Sequence, residues 1–100
     1  MELSLNTADT EVISVSLVKD GQAVETLQDK NKFGSQALLP LIKKILDSQG
    51  LSLEDLKGIK TSTGPGSFTG LRVGLAVANS LGFSLNIPVN GKKLETEITY

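Results

Sequence analysis

The sequence predicts a small α/β domain with a mixed sheet, its elements ordered strand, strand, strand, helix, strand, helix, strand. Three observations carry this expectation. Apolar and polar residues alternate through the first thirty positions, the period turns helical from Ser35, and a glycine-rich turn feeds a second, almost uncharged apolar segment.

The first strand is "ELSLN", with Leu3 and Leu5 on one face and Glu2, Ser4 and Asn6 on the other. "EVISVSLVKDG" repeats the pattern with Ile13, Val15 and Leu17 against Ser14 and Ser16, and "QAVETLQ" supplies a third strand. The links "TADT" and "KDG" are hairpin chemistry, Asp20-Gly21 being the stronger turn. An antiparallel meander follows, its second face lined by Glu2, Ser4, Ser14 and Ser16 and so tolerant of water.

From Ser35 to Gln49, Leu38, Leu39, Ile42, Ile45 and Leu46 form an apolar stripe, with Lys43, Lys44 and Asp47 opposite. Gly50 stops this helix, and Pro40 removes one backbone hydrogen bond near its first turn. In "LSLEDLKG", Ser52 with Asp55 three residues on makes an approximate capping box for one short turn. "IKTST" reads as a fourth strand, the segment from about Ser67 to Leu85 as a second helix, and "NIPVNG" as a fifth strand with Pro88 near its start. Three consecutive strands before any crossover is the order of the ribonuclease H-like fold and of each lobe of the actin and Hsp70-type ATPases, with a mixed five-stranded sheet and helices mainly on one face.

Composition narrows the chemistry. Ten cations against eleven acids give a net charge of −1 over 100 residues, without the concentrated basic face that direct nucleic-acid binding needs. There is no cysteine for a disulfide or thiolate metal site, and no histidine to serve as base or ligand. No metal or cofactor is expected. The start "MELSLNTADTE" has neither a basic n-region nor a long apolar run, so the expectation is a cytoplasmic protein with no membrane contact.

The stretch "TGPGSFTGLRVGLAVA" fails both phosphate signatures. A P-loop needs Gly-Lys-Ser or Gly-Lys-Thr, whereas Gly70 is followed by Leu71 and Arg72; the dinucleotide pattern begins at Gly64 and Gly66 but has Thr69 in place of its third glycine. Two readings stay open. The amides near Gly64, Gly66, Ser67 and Phe68 could hold an anion at a helix N-terminus, or the glycines could simply make a sharp strand-to-helix turn. The helix beyond carries Gly70, Gly74, Ala78 and Gly82 at every fourth position, a ridge of small residues that admits another backbone closely. Only Arg72 and Asn79 mark a polar strip, so this helix should be buried nearly all round, either by the first helix or by a partner.

That string, with "LSLNTADTEVISVSLVKDG", "SQALLPLIKKIL" and the "IPV" after the second helix, resembles the N-terminal lobe of the bacterial TsaB (YeaZ) family over essentially the whole chain. The resemblance implies an actin- and Hsp70-like lobe without a working nucleotide site. It also implies a non-catalytic partner of the TsaD subunit in the synthesis of N6-threonylcarbamoyladenosine on tRNA, with TsaE and tRNA reached through the complex. The two helices would pack on those of TsaD, or on another TsaB copy as a homodimer, in a four-helix bundle. Leu38, Leu39, Ile42, Gly70, Leu71, Gly74, Leu75, Ala78 and Gly82 are the expected interface. Where the family carries an aspartate at the end of the first strand this chain has Asn6, a poor magnesium anchor; its histidine ahead of the first helix is Gly34 here. Asp9 reads as a turn residue rather than a ligand, and Ser67 and Thr69 have no base beside them. The chain is expected to form a single lobe over residues 1–100, without the second lobe of the family.

Overall fold

The computed structural model describes residues 1–9, 11–30, 35–66 and 68–92. Strands β1 (Glu2–Asn6), β2 (Val12–Lys19) and β3 (Gln22–Lys30) are followed by helix α1 (Ser35–Ser48), strand β4 (Gly58–Thr61) and helix α2 (Phe68–Leu85). One 3-10 turn, Leu53–Asp55, precedes β4, and the amide of Ser52 donates to Asp55 Oδ2 at 2.8 Å as the capping pattern anticipates.

The sheet is mixed, in the order β3-β2-β1-β4. β1 runs antiparallel to β2, with Leu3 opposite Leu17 and Leu5 opposite Val15, and parallel to β4, with Leu3 opposite Ile59. Period-2 alternation fixes this register, because a slip of one residue would turn every leucine of β1 to water. The β2–β3 turn places Asp20 at φ 53° and Gly21 at φ 80°, the pair of positive angles a two-residue hairpin requires.

Both helices lie on the same side of the sheet: α1 packs on β2 and β3, and α2 on β4 and β1. Leu3, Leu5, Ile13, Val15 and Leu17 from the sheet meet Leu38, Leu41, Ile42, Ile45 and Leu46 from α1 in one buried cluster. Each such side chain contributes about 1.5–3 kcal/mol by leaving water. The apolar stripe of α1 thus runs through Leu41, whereas Leu39 is 51% exposed. α1 ends as Gly50 takes φ 66°, and the Gly50 and Leu51 amides close onto the Asp47 and Leu46 carbonyls at 3.1 and 2.9 Å. α2 ends in the same way with Asn86 at φ 56° and the Ile87 amide on the Gly82 carbonyl at 3.0 Å.

The fifth strand expected from "NIPVNG" is reduced to a single parallel bridge, Ile59 to Val89. Pro88 has no amide to donate, and Asn90, at φ 53°, turns the chain away immediately afterwards. The side chain of Asn90 takes over the pairing instead: its Oδ1 accepts from the Thr61 amide at 2.9 Å and its Nδ2 donates to the Thr61 carbonyl at 3.2 Å. Among the described residues the sheet is therefore four-stranded.

Candidate partner interface

The small-residue ridge of α2 points inward. Gly70, Leu71, Gly74, Ala78 and Gly82 are all buried within the chain itself. A Cβ on Gly74 would collide with Thr7 Oγ1 and sit 3.0 Å from Thr61 Oγ1; one on Gly82 would sit 2.5 Å from Val89 Cγ2 and 3.0 Å from the Ile87 carbonyl. The glycines let the helix approach the C-terminal ends of β1 and β4 and the segment beyond α2. The sequence expectation that these residues form the outward interface is corrected accordingly, and so is that for Leu38 and Ile42, which are 0% and 3% exposed beneath α1. Leu75 is half-buried.

The surface the two helices present outward is a different one. Leu39 of α1 and Val73, Ala76, Val77 and Leu81 of α2 line an open, mainly apolar groove of about 500 Å³, with Thr69, Arg72 and Ser80 as its polar members. Phe83, seven residues after Ala76 and three after Ser80, continues the same helix face and is 78% exposed. Of the nine residues expected at an interface, Leu39 alone lines this groove. The i, i+3, i+4 series Thr69, Arg72, Val73, Ala76, Ser80, Phe83 was available in the sequence, but α2 is apolar on several faces and its periodicity does not say which is outermost.

The glycine turn has a local task. Gly66 presses on the loop after β1, where a Cβ would lie 2.6 Å from Ala8 Cβ and 2.9 Å from the Ala8 carbonyl oxygen. Gly64 takes φ 117°, and the Gly64-Pro65 peptide is cis. Ser67, the side chain of Phe68 and Gly34 lie outside the described residues. Asn6 Oδ1 accepts from the Ala8 amide at 3.1 Å, and Asp9 Oδ1 accepts from the Glu11 and Val12 amides at 2.7 and 3.2 Å. Both side chains shape the β1–β2 connection, as expected of Asp9 in a turn. With Val12, Ser14 and Gln28 they border a shallow hollow of about 260 Å³.

Elsewhere the polar contacts are structural. Glu25 on β3 accepts hydrogen bonds from Ser48 Oγ and, at 2.9 Å, from Gln49 Nε2, tying the end of α1 to the sheet edge. The Ser48 bond, then the Gln49 bond, hold the Glu25 carboxyl below its ordinary value. Among the described residues no group of three or more His, Cys, Asp or Glu side chains could hold a metal. No described helix is long and apolar enough to cross a membrane.

A family model described as "TsaD: tRNA N6-adenosine threonylcarbamoyltransferase" matches residues 30–91, the segment that holds α1, β4 and α2. The chain belongs to the TsaD family. Within the TsaD family it is similar to TsaB proteins over most of its length. It is 36% identical over 89 residues to the "tRNA threonylcarbamoyladenosine biosynthesis protein TsaB" of Escherichia coli and 30% identical over 95 residues to that of Bacillus subtilis, spanning 89% and 94% of this chain. A "tRNA N6-adenosine threonylcarbamoyltransferase" of Nitrosospira multiformis is 50% identical over a shorter stretch of 54 residues. Among solved structures, YeaZ from Pseudomonas aeruginosa superposes with a TM-score of 0.78 at 35% identity over 88% of this chain. The ribonuclease H-like, actin-type lobe read from the element order is thereby borne out, as is the resemblance to the TsaB N-terminal lobe. The chain spans about two-fifths of the length of the TsaB and YeaZ relatives, 38% of the E. coli protein, 42% of the B. subtilis one and 40% of the P. aeruginosa one, and 16% of the N. multiformis protein.

Proposed function

We propose that this chain is a non-catalytic docking lobe in tRNA threonylcarbamoyladenosine synthesis, which binds a TsaD-like subunit through the outer faces of α1 and α2. The observation that carries the proposal is the open apolar groove between Leu39 and the Val73–Ala76–Val77–Leu81 side of α2, extended by the exposed ring of Phe83. A lone apolar side chain on a surface is ordinary; a concave apolar run along two helices is the kind of surface that another helix fills.

The role in threonylcarbamoyladenosine biosynthesis for which the relatives are named supports the assignment. The chemistry at hand supports a binding rather than a reacting role. Asp9 spends its carboxylate on backbone amides, and Gly66 is pressed against Ala8. Binding of this kind positions the partner and contributes no group to the reaction.

The test is co-elution of the chain with the TsaD-like subunit of the same organism, with the mass of the eluting species read by light scattering. A one-to-one complex that forms with the wild-type chain and is lost in Ala76→Glu, at unchanged melting temperature, supports the reading. Absence of any complex, or a complex indifferent to Ala76→Glu, overturns it.

A further inference from the structure

The segment after α2 carries a chemically reactive pair under structural restraint. Asn90-Gly91 is the one Asn-Gly step among the five asparagines of the chain. In such a step the main-chain nitrogen of the glycine can attack the asparagine Cγ, because the glycine has no side chain to shield it. Gly91 is exposed, and a Cβ built on it would meet nothing within 4 Å, so nothing packs against that side of the residue.

The carboxamide of Asn90, however, is committed elsewhere. Its Oδ1 accepts from the Thr61 amide at 2.9 Å and its Nδ2 donates to the Thr61 carbonyl at 3.2 Å. The main chain around it is tied as well: the Asn90 amide donates to the Ile59 carbonyl at 2.8 Å, the Val89 amide to the Lys92 carbonyl at 2.7 Å, and the Lys92 amide back to the Val89 carbonyl at 3.0 Å. With Asn90 at φ 53° and Gly91 at φ 77°, this is a closed two-residue turn. Cyclisation requires the side chain to leave Thr61 and fold back over its own peptide, and the Asn90-Gly91 peptide to rotate, so both sets of bonds have to open first.

We propose that Asn90-Gly91 is a deamidation site gated by its clamp on Thr61, and that deamidation, once it occurs, releases the segment after α2. In the reaction the Gly91 nitrogen forms a bond to Asn90 Cγ; the Cγ–Nδ2 bond breaks, and Nδ2 departs as ammonia with the proton given up by the Gly91 nitrogen. Water then opens the resulting cyclic imide at either carbonyl, leaving an aspartyl or an isoaspartyl residue. Neither product restores the clamp. The aspartyl carboxylate still accepts from the Thr61 amide, but its second oxygen faces the Thr61 carbonyl, acceptor against acceptor, where Nδ2 had donated. The isoaspartyl form adds a methylene to the main chain and disrupts the turn that joins Val89 to Lys92. What is loosened is a core contact: Val89 is 0% exposed, bridges to Ile59 and lies directly beneath Gly82, so the last turns of α2 lose the residue they rest on.

The test follows the mass and isoaspartyl content of the peptide bearing residue 90 in the full chain, held at mildly alkaline pH with and without denaturing urea. Conversion of the native chain is expected to be at least about tenfold slower than that of the unfolded chain. Equal rates overturn the gating, and an unfolded chain that does not convert overturns the site itself. Asn90→Asp then reproduces the aspartyl product directly. The amides of Ile59, Val89 and position 90 are expected to exchange with deuterium at least about tenfold faster in this variant than in wild type, and to gain more than the amides of β2 do. Asn90→Gly, which keeps the positive φ and removes the carboxamide without adding a charge, gives a second reading if Asn90→Asp fails to fold. Wild-type exchange at these three amides in the folded variant overturns the release.

Discussion

The hydroxyl of Thr7 donates to the carbonyl of Gly70 at 2.6 Å, joining the end of β1 to the first turn of α2 across 63 positions of sequence. One helical turn further on, Gly74 lies over Thr7 and Thr61 together. The helix rests here on two buried hydroxyls rather than on aliphatic side chains, 1% and 7% exposed, and the glycines are what bring its backbone down to them.

Gly74→Ala should therefore destabilise the fold even though alanine is the better helix former by up to about 1 kcal/mol. The added methyl has to displace Thr7, whose β-branched side chain is stiff and whose hydroxyl is committed to Gly70. Overpacking of this kind costs about 1–3 kcal/mol, so a net loss of about 1–2 kcal/mol in urea unfolding is expected, and Gly74→Leu should fail to fold. An alanine variant as stable as wild type would show that α2 can lift off the sheet at little cost.

The two threonines should part company when each is replaced by valine. Thr61 Oγ1 is buried with no hydrogen-bond partner, so Thr61→Val removes a stranded polar atom at nearly constant shape and should leave stability unchanged or raise it by up to about 1 kcal/mol. Thr7→Val removes a made bond and should lower stability by about 1 kcal/mol. Equal effects in parallel denaturation curves would contradict this asymmetry.

These residues also mark where the sequence stops being readable. The β1–β3 meander was legible because alternation and the Asp20-Gly21 turn have one structural solution each. α1 was legible because its charges and its leucines lie on opposite sides, with only the exchange of Leu39 for Leu41 between surface and core to correct. α2 was legible as a helix and not in its orientation: a ridge of Gly70, Gly74, Ala78 and Gly82 announces a close approach without saying to what. The answer depended on the polar ends of β1 and β4, distant in sequence. The truncated fifth strand escaped because an asparagine side chain, that of Asn90, imitates strand pairing at Thr61, and no periodicity signals such a substitution.

The tie between Glu25 and the end of α1 should give stability a dependence on acid pH. The native carboxyl is held below its ordinary value of 4.5 by the Ser48 and Gln49 bonds, so the folded state binds the proton less readily than the unfolded one. The contribution is then fully present above 4.5 and is lost as pH falls through the lower native value. Glu25→Gln should flatten that part of the pH–stability profile between pH 5 and 3, two values chosen to bracket the carboxylate range. A profile of unchanged shape in the variant would assign the acid sensitivity to other carboxylates.

Phe83 supplies the opposite case to Gly74. Its ring is 78% exposed, so Phe83→Ala removes little buried contact and should change the free energy of unfolding by no more than about 0.5 kcal/mol. If α2 docks on a partner through the face that carries Ala76, Ser80 and Phe83, the same substitution removes the largest apolar group of that face. Truncation of a central aromatic anchor costs about 2 kcal/mol or more in binding, a loss of roughly thirtyfold in affinity for the TsaD-like subunit. Gly74→Ala and Phe83→Ala thus form a crossed pair: the first should lower the melting temperature of the free chain, the second the affinity of the complex. Reversal of that pattern, with Phe83→Ala melting early and binding normally, would return the ring to the interior of the lobe and move the docking surface elsewhere.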